Sequence, residues 1–427
     1  MADELIDLVT DSEPAVGCGP LSPQRAAGDA APLRQQVFDC VRAQGRLSRA
    51  DVARCLGVSP GSVTAATGEL IAAGYLEEVE PPRESEGGRG RPPVSLAVRP
   101  QAGFVAGIKV SSTAHTAVIH DFAGRAVADV SVPAAAARLT LDQTLEQTAR
   151  LLDDVLAKAG LPRERILAVG LGVPGFIESD HGIVLWSPLI DGANLPLREA
   201  AQARLGLPVT IDNDANLVTL AELWFGDGRG VGNFAVVTIE HGVGMGLVLN
   251  NRLYRGARGL GTELGHTKVH LDGALCRCGQ RGCLEAYVAD YALVREASTA
   301  LDWVQATNTP PAVLLETLYD HAKGGNVAAR SIFKRAGRYL ALGLANVVNL
   351  FDPELVILSG ERMRYDYLYA DEVLAEMQAT AIQIDRPAPR VEIHAWGDLI
   401  WARGAAALAL SQVTAERLGP AGLVAAQ

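Results

Sequence analysis

Gly265-His266-Thr-Lys-Val-His270-Leu-Asp-Gly-Ala-Leu-Cys276-Arg-Cys278-Gly279-Gln-Arg-Gly282-Cys283-Leu-Glu285 is the stretch on which the reading of this chain turns. Three cysteines fall within eight residues, and nine residues separate His266 from the first of them. Three thiolates and one imidazole make a tetrahedral zinc donor set with no open position, the structural kind. Gly279 and Gly282 let the backbone turn tightly enough for Cys278 and Cys283 to converge. On spacing alone, either His266 or His270 supplies the imidazole. Cys18, Cys40 and Cys55 are scattered. The pattern is therefore one metal site plus incidental thiols in a reducing compartment, and a cytoplasmic location is expected.

Working outward, the flanking sequence reads as alternating strands and helices. Phe104–Val110, Ala117–His120, Ile166–Val173, Val209–Ile211, Ala235–Ile239, Leu247–Leu249 and Leu355–Leu358 are apolar strand-like runs. Leu139–Ala159 and Ser331–Leu350 have helical character. That alternation predicts an α/β body from about residue 100 onward. No apolar stretch reaches membrane-spanning length without a charge or a Gly/Pro break, so no membrane partner is expected.

The N-terminal part differs. Residues 1–32 carry six acids and one Arg and are rich in Ala, Gly and Pro. They read as a disordered acidic tail and not as a signal peptide. Leu33–Gln44 places Leu33, Val37, Phe38 and Val41 on one helical face. Ser48-Arg-Ala-Asp51 resembles a capping box and starts a helix that runs to about Leu56. Gly57–Pro60 is a turn, Gly61–Ala73 a third helix, and Tyr75–Glu80 and Pro93–Val98 two strands around a loop. This order is a winged helix-turn-helix over 33–99. The chain as a whole carries −11, but residues 33–100 hold nine Arg against eight acids, the only segment that is not acidic. Basic density governs electrostatic attraction to double-stranded DNA, so the partner is assigned to this segment. In such a head the start of the third helix faces the major groove, here Ser59, Ser62 and Thr64. Arg89 and Arg91, flanked by Gly in the wing loop, suit a narrow minor groove. Arg46, Arg49 and Arg54 are expected on phosphates.

The zinc stretch resembles the ROK family of repressors, open reading frames and sugar kinases. That family carries Gly-His, nine to eleven residues, then Cys-x-Cys-Gly-x-x-Gly-Cys-x-Glu. Gly172-Val-Pro-Gly175, Asn213-Asp-Ala-Asn216, Tyr254–His266 and Asp352-Pro-Glu-Leu-Val-Ile357 match in the same order. The resemblance spans roughly residues 100–415 and implies a two-lobed actin/hexokinase-like, ribonuclease-H-like fold. The small α/β lobe is expected from 100–213 plus 388–427, and the large lobe with the zinc site from 214–387. The resemblance also selects His266, with Cys276, Cys278 and Cys283, as ligands of one structural zinc. It implies a cleft in which Asn194, Asn213, Asp214, Glu263, His266 and Glu285 hold a sugar or sugar derivative. His266 would put one ring nitrogen on zinc and the other on a sugar hydroxyl.

Kinases of this family open on Asp-x-Gly-x-Thr, where this chain has Gly107-Ile-Lys109-Val-Ser-Ser-Thr113. Lys109 puts a cation where a carboxylate organises the metal. The second phosphate loop, usually Gly-Thr-Gly-x-Gly-x-Gly, reads Glu240-His-Gly-Val-Gly-Met-Gly246, and Glu240 would repel a triphosphate. The resemblance therefore implies a DNA-binding regulator, not an enzyme, whose operator affinity changes when a monosaccharide or derivative binds in the interlobe cleft. It would be a homodimer or homotetramer on an inverted-repeat operator. The alternative is an ATP-dependent sugar kinase with Asp214 as base.

Overall fold

The computed structural model describes residues 17–21, 31–80, 94–135, 138–301, 309–360, 363, 371–382, 387–394 and 397–426. The head comprises α1 (Leu33–Gln44), β1 (Leu47–Ser48), α2 (Arg49–Leu56), α3 (Pro60–Ala72), β2 (Leu76–Val79) and β3 (Ser95–Val98). The helices fall where the apolar periodicity puts them. The start of α3 comes one residue early because Pro60 takes the first helical position, where its missing N–H costs nothing. Strand β1 has no sequence pattern; it exists because Leu47 and Ser48 pair with Leu96 and Ser95 at the edge of the wing. At the start of α2 the Ser48 hydroxyl accepts the Asp51 N–H at 3.2 Å and donates to the Asp51 carboxylate at 2.7 Å. Asp is one methylene shorter than the usual Glu, so its carboxylate takes the hydroxyl of Ser48.

The small lobe contains β4 (Phe104–Lys109), β5 (Ala114–Asp121), β6 (Ala126–Pro133), α4 (Leu141–Ala159), β7 (Ile166–Val173), β8 (Phe176–Glu178), β9 (Ile183–Trp186), β10 (Ala193–Leu195), α5 (Leu197–Leu205) and β11 (Val209–Asn213). Its main sheet runs β11-β7-β4-β5-β6. The parallel trio β11, β7 and β4 ends with all its C-termini on one side. Every residue of β7 is buried, as expected for a central strand covered on both faces. Strands β8, β9 and β10 form a separate antiparallel sheet.

The large lobe contains α6 (Asp214–Phe225), β12 (Phe234–Ile239), β13 (Val243–Leu249), β14 (Arg252–Tyr254), α7 (Glu285–Val288), α8 (Asp290–Ala300), α9 (Pro311–Lys323), α10 (Val327–Phe351), β15 (Leu355–Ser359), α11 (Asp371–Thr380) and β16 (Arg390–His394). Its sheet order is β14-β13-β12-β15-β16. The expected return to the small lobe at residue 388 is corrected here: β16 pairs in parallel with β15 and belongs to the large lobe. The return is made by α12 (Leu399–Leu418), which lies on β4 and β7 and crosses α6.

Three glycines make that packing flush. A Cβ at Gly107 would stand 2.0 Å from the Ala402 carbonyl oxygen, and one at Gly170 1.9 Å from that of Ala405. At the helix crossing, a Cβ on Gly404 would stand 1.8 Å from the Leu217 carbonyl oxygen.

The head is not a tethered module. Phe38 and Tyr75 of the head pack against Phe122 of the body, each with its ring centroid 5.5 Å from that of Phe122. Arg42, 4% exposed, donates to Thr414 of α12 at 2.8 Å and to Asp39 at 2.6 Å. Its guanidinium stacks 4.6 Å from the Trp224 ring of α6. Tyr75 donates its hydroxyl to the Val424 carbonyl at 2.6 Å. The expectation of a disordered tail over 1–32 is corrected for residues 17–21. Cys18 N–H donates to Arg42 O, Gly19 N–H to Trp224 O and Leu21 N–H to Arg229 O, at 2.7–3.1 Å. Cys18 is buried, so this short strap is wedged between head and body.

Gly404→Ala should therefore cost roughly 1–3 kcal/mol of overpacking strain. Gly68→Ala, on a helix face with nothing within 4 Å, should stabilise by about 0.4–1 kcal/mol. Urea unfolding midpoints check both; equal midpoints for the two variants would contradict the close crossing.

Candidate functional site

The metal knuckle is a loop stapled by backbone bonds. Cys276 N–H donates to Gln280 O at 2.8 Å, Gly279 N–H to Cys276 O at 3.0 Å, and Val269 N–H to Gly282 O at 2.8 Å. Gly282 has φ +76° and a Cβ there would meet His270 O at 1.8 Å, so the site requires glycine. This folding brings one ligand atom each from His266, Cys276, Cys278 and Cys283 within 4.8 Å of one another. The Cys278–Cys283 sulfur separation and the distance from Cys276 Sγ to His266 Nδ1 are both 3.7 Å. A tetrahedron with zinc–sulfur bonds of ~2.3 Å has edges of about that length. His270 is elsewhere, with its Nδ1 3.3 Å from the Tyr339 hydroxyl. Lys268 donates to Cys283 Sγ at 2.9 Å, a cation beside the thiolates that sequence reasoning missed.

The residues assigned to a sugar come from four separate segments. Asp214 and Asn213 stand where β11 becomes α6, Glu263 and His266 where the loop after β14 enters the knuckle, Glu285 at the start of α7, and Asn194 on β10. The Asp214 and Glu285 carboxylates both bear on Glu263. Burial raises the Glu263 carboxyl to about 7, with the Asp214 and Glu285 charges adding to the shift. Burial raises Asp214 too, opposed by the nearby Lys109 charge. Glu285 links cleft and knuckle: Oε2 accepts the Val243 N–H at 3.3 Å, and Oε1 accepts from the Tyr291 hydroxyl at 3.4 Å and from Cys276 Sγ at 3.6 Å. Asn213 caps α6, its side-chain oxygen accepting the Asn216 N–H at 2.8 Å. Asn194 is exposed, with a left-handed φ of +53°.

Sequence reasoning missed Asp212 and Arg255. Asp212 is 1% exposed and accepts from Ser179 Oγ, Asn213 N–H and Asn216 Nδ2 at 2.8–3.2 Å. Its other oxygen takes Arg255 Nε at 2.8 Å and an Arg255 terminal nitrogen at 2.7 Å. The pair ties the small-lobe strand β11 to the loop after β14. Asp212 directly precedes the Asn213-Asp-Ala-Asn216 motif, but nothing in the sequence couples it to Arg255.

At the two turns that the resemblance assigns to nucleotide phosphates, the side chains make local contacts. Lys109 is 8% exposed, with Nζ 3.3 Å from the Trp401 ring centroid. Ser111 donates its hydroxyl to Ala114 O at 2.6 Å and receives the Ala114 N–H at 3.2 Å, closing the β4–β5 turn on itself. In the β12–β13 turn His241 pairs with Asp290 at 3.1 Å, and Glu240 donates its N–H to Gly242 O at 2.9 Å.

On the head, Ser59, Ser62 and Thr64 are exposed along the start of α3. Their hydroxyls are used locally, Ser59 and Ser62 bonding each other at 2.8 Å and Thr64 donating to Pro60 O at 2.9 Å. Acceptor lone pairs remain toward solvent. Arg49 is paired with Glu78 and Arg54 with Asp51, at 2.7 and 2.8 Å, while Arg46 is exposed. Arg89 and Arg91 lie outside the described residues. Among the described residues no helix is long and apolar enough to cross a membrane.

Known proteins place this geometry in context. The chain is 30% identical over 340 residues to the xylose repressor of Caldicellulosiruptor bescii, covering 77% of this chain and 82% of that one. It superposes on a ROK family transcriptional regulator, a homologue of the Escherichia coli MLC protein, with a TM-score of 0.73 and 26% identity over 89% of this chain and 95% of that one. It also superposes on a ROK glucokinase from Streptomyces griseus bound to glucose and AMPPNP, with a TM-score of 0.62 and 28% identity over 72% of this chain and all of that one. The family model for ROK proteins matches residues 105–412, which takes in both lobes, the knuckle and the cleft carboxylates. By sequence and by fold, the chain belongs to the ROK family.

Proposed function

We propose that this chain is a sugar-responsive, DNA-binding transcriptional regulator. The observation that carries the reading is the asymmetry of the cleft. The hydroxyl-reading side brings Asp214, Glu263 and Glu285 together, while the phosphate side is occupied by Lys109, Ser111 and the His241–Asp290 pair. A site that reads hydroxyls without admitting a triphosphate suits a sensor and not a phosphotransferase. The likeness to a repressor and to a ROK regulator along most of the chain supports the same reading.

The proposed signal path uses parts already described. Helix α6 begins at Asn213 and Asp214 in the cleft and ends at Trp224, against Arg42 of the head. A sugar that prefers one arrangement of the lobes shifts the head through that helix, and the size of the response is set by the difference in sugar affinity between the two arrangements. Double-stranded DNA would be read by α3 through Ser59, Ser62 and Thr64, and by Arg89 and Arg91. A homodimer would match an inverted repeat by its own two-fold symmetry.

His266, Cys276, Cys278 and Cys283 fit one structural zinc. All four donors come from the protein, so zinc would supply rigidity and hold His266 by its Nδ1, leaving Nε2 for a hydroxyl.

Gel-shift titration on the chain's own promoter region should show sequence-specific binding at physiological salt that changes with one member of a sugar library. Glu263→Ala should keep DNA binding and lose the sugar response. Absence of specific binding at that salt sinks the regulator reading. Metal analysis should return about one zinc per chain, with Cys278→Ser losing the metal and melting lower. A metal-free chain with the same melting temperature would refute the knuckle. Coupled ADP release over hexoses, N-acetylhexosamines and pentoses should show no turnover. Turnover that Asp214→Asn abolishes would establish the kinase in place of the sensor.

A further inference from the structure

Phe176 and Trp186 belong to none of the groups above, yet they form a ring pair that adjoins His266. They face each other across β8 and β9 in register, with ring centroids 5.8 Å apart. Phe176 reaches the other lobe: its ring lies 6.2 Å from that of His266. Three rings thus run from the knuckle outward, ending at Trp186, which is 49% exposed.

The orientation is imposed by a bulge. Phe176 pairs with Trp186 but Ile177 pairs with Val184, so Leu185 is an extra residue on β9. Without it, Val184 and Trp186 would share a face. With it, Ile177 and Val184 lie in the small-lobe core, fully buried, and Trp186 stands opposite Phe176, whose ring lies against His266. Bulges that re-aim a side chain concentrate beside ligand sites. The neighbour on the other side of Trp186 is Ala193 of β10, whose methyl covers little of an indole. Asn194 follows it, exposed.

Resting on the sugar reading of the cleft, we propose that Phe176 and Trp186 form a second subsite, which takes the ring next to the sugar held by Asp214, Glu263, His266 and Glu285. The ligand is then a disaccharide or the end of a short oligosaccharide. A sugar ring has a hydroxyl rim and an apolar C–H face. The carboxylates and the imidazole read a rim, and the stacking surface begins at His266, where they stop. An exposed indole offers a large, rigid, apolar face with a polar N–H at its edge, which suits a C–H face bordered by hydroxyls.

Calorimetric titration of the full chain with glucose, xylose, maltose, cellobiose and xylobiose tests this. One disaccharide should bind about tenfold or more tightly than its own monosaccharide. Trp186→Ala should remove that margin and leave monosaccharide binding unchanged; Trp186→Phe should restore part of it. Because Trp186 is half exposed, the variant should melt with the wild type, and Phe176→Leu gives an independent second readout. Equal affinity for disaccharide and monosaccharide in the wild type, or a disaccharide affinity unmoved by Trp186→Ala, overturns the subsite while leaving the sugar reading intact. If none of the five probes binds the wild type, and a wider library also fails, the sugar reading falls and the subsite falls with it.

Discussion

The close approach of α12 to the sheet beneath it and to α6 is the constraint on which the rest depends. Helix α12 comes from the C-terminal end of the chain yet supplies the packing surface of the small lobe, the crossing partner of the large-lobe helix α6, and the Thr414 hydroxyl that receives Arg42. Three bodies meet on one helix, and they can do so only because Gly107, Gly170 and Gly404 hold no side chain at the points of contact. A small shift of α6 against α12 is felt by both lobes and by the head, since packed interfaces repack and do not stretch.

The charge arrangement follows from that geometry. Bringing β11, the loop after β14 and the start of α7 together puts the Asp214 and Glu285 charges beside Glu263. Burial and those charges raise the Glu263 carboxyl, while the Lys109 cation opposes the rise that burial imposes on Asp214. Asp212 is the opposite case. It is more deeply buried, but it is fully hydrogen-bonded and paired with Arg255, so it is satisfied and serves as a tie between lobes. Asp214 and Glu285 also accept hydrogen bonds, but among the described residues no arginine is paired with them as Arg255 is with Asp212.

Head and body share one core, which changes what the helix-turn-helix is. Phe38 and Tyr75 pack on Phe122, and the residue 17–21 strap hydrogen-bonds to both sides of the joint. A head joined by a flexible linker would report little about the cleft. A head sharing Arg42 and Trp224 with α6 is set by the same packing that sets the lobes.

The sequence by itself determined the helices of the head, the central strand β7 and the cysteine cluster. Apolar period placed α1 and β7 to the residue, because one helix face and a fully buried strand leave a strong local signature. Cysteine spacing located the knuckle for a similar reason: its ligands, apart from His266, sit within eight residues. Only the tertiary structure decided what depends on partners far apart in the chain. It chose β1, with no pattern of its own, moved β16 into the large lobe, and drew residues 17–21 out of an expected tail. It also joined Asp212 to Arg255 and set Trp186 against Phe176, the ring beside His266, through a bulge. In each case the deciding energy is a contact between residues remote in sequence, and no local window of residues contains both halves of it.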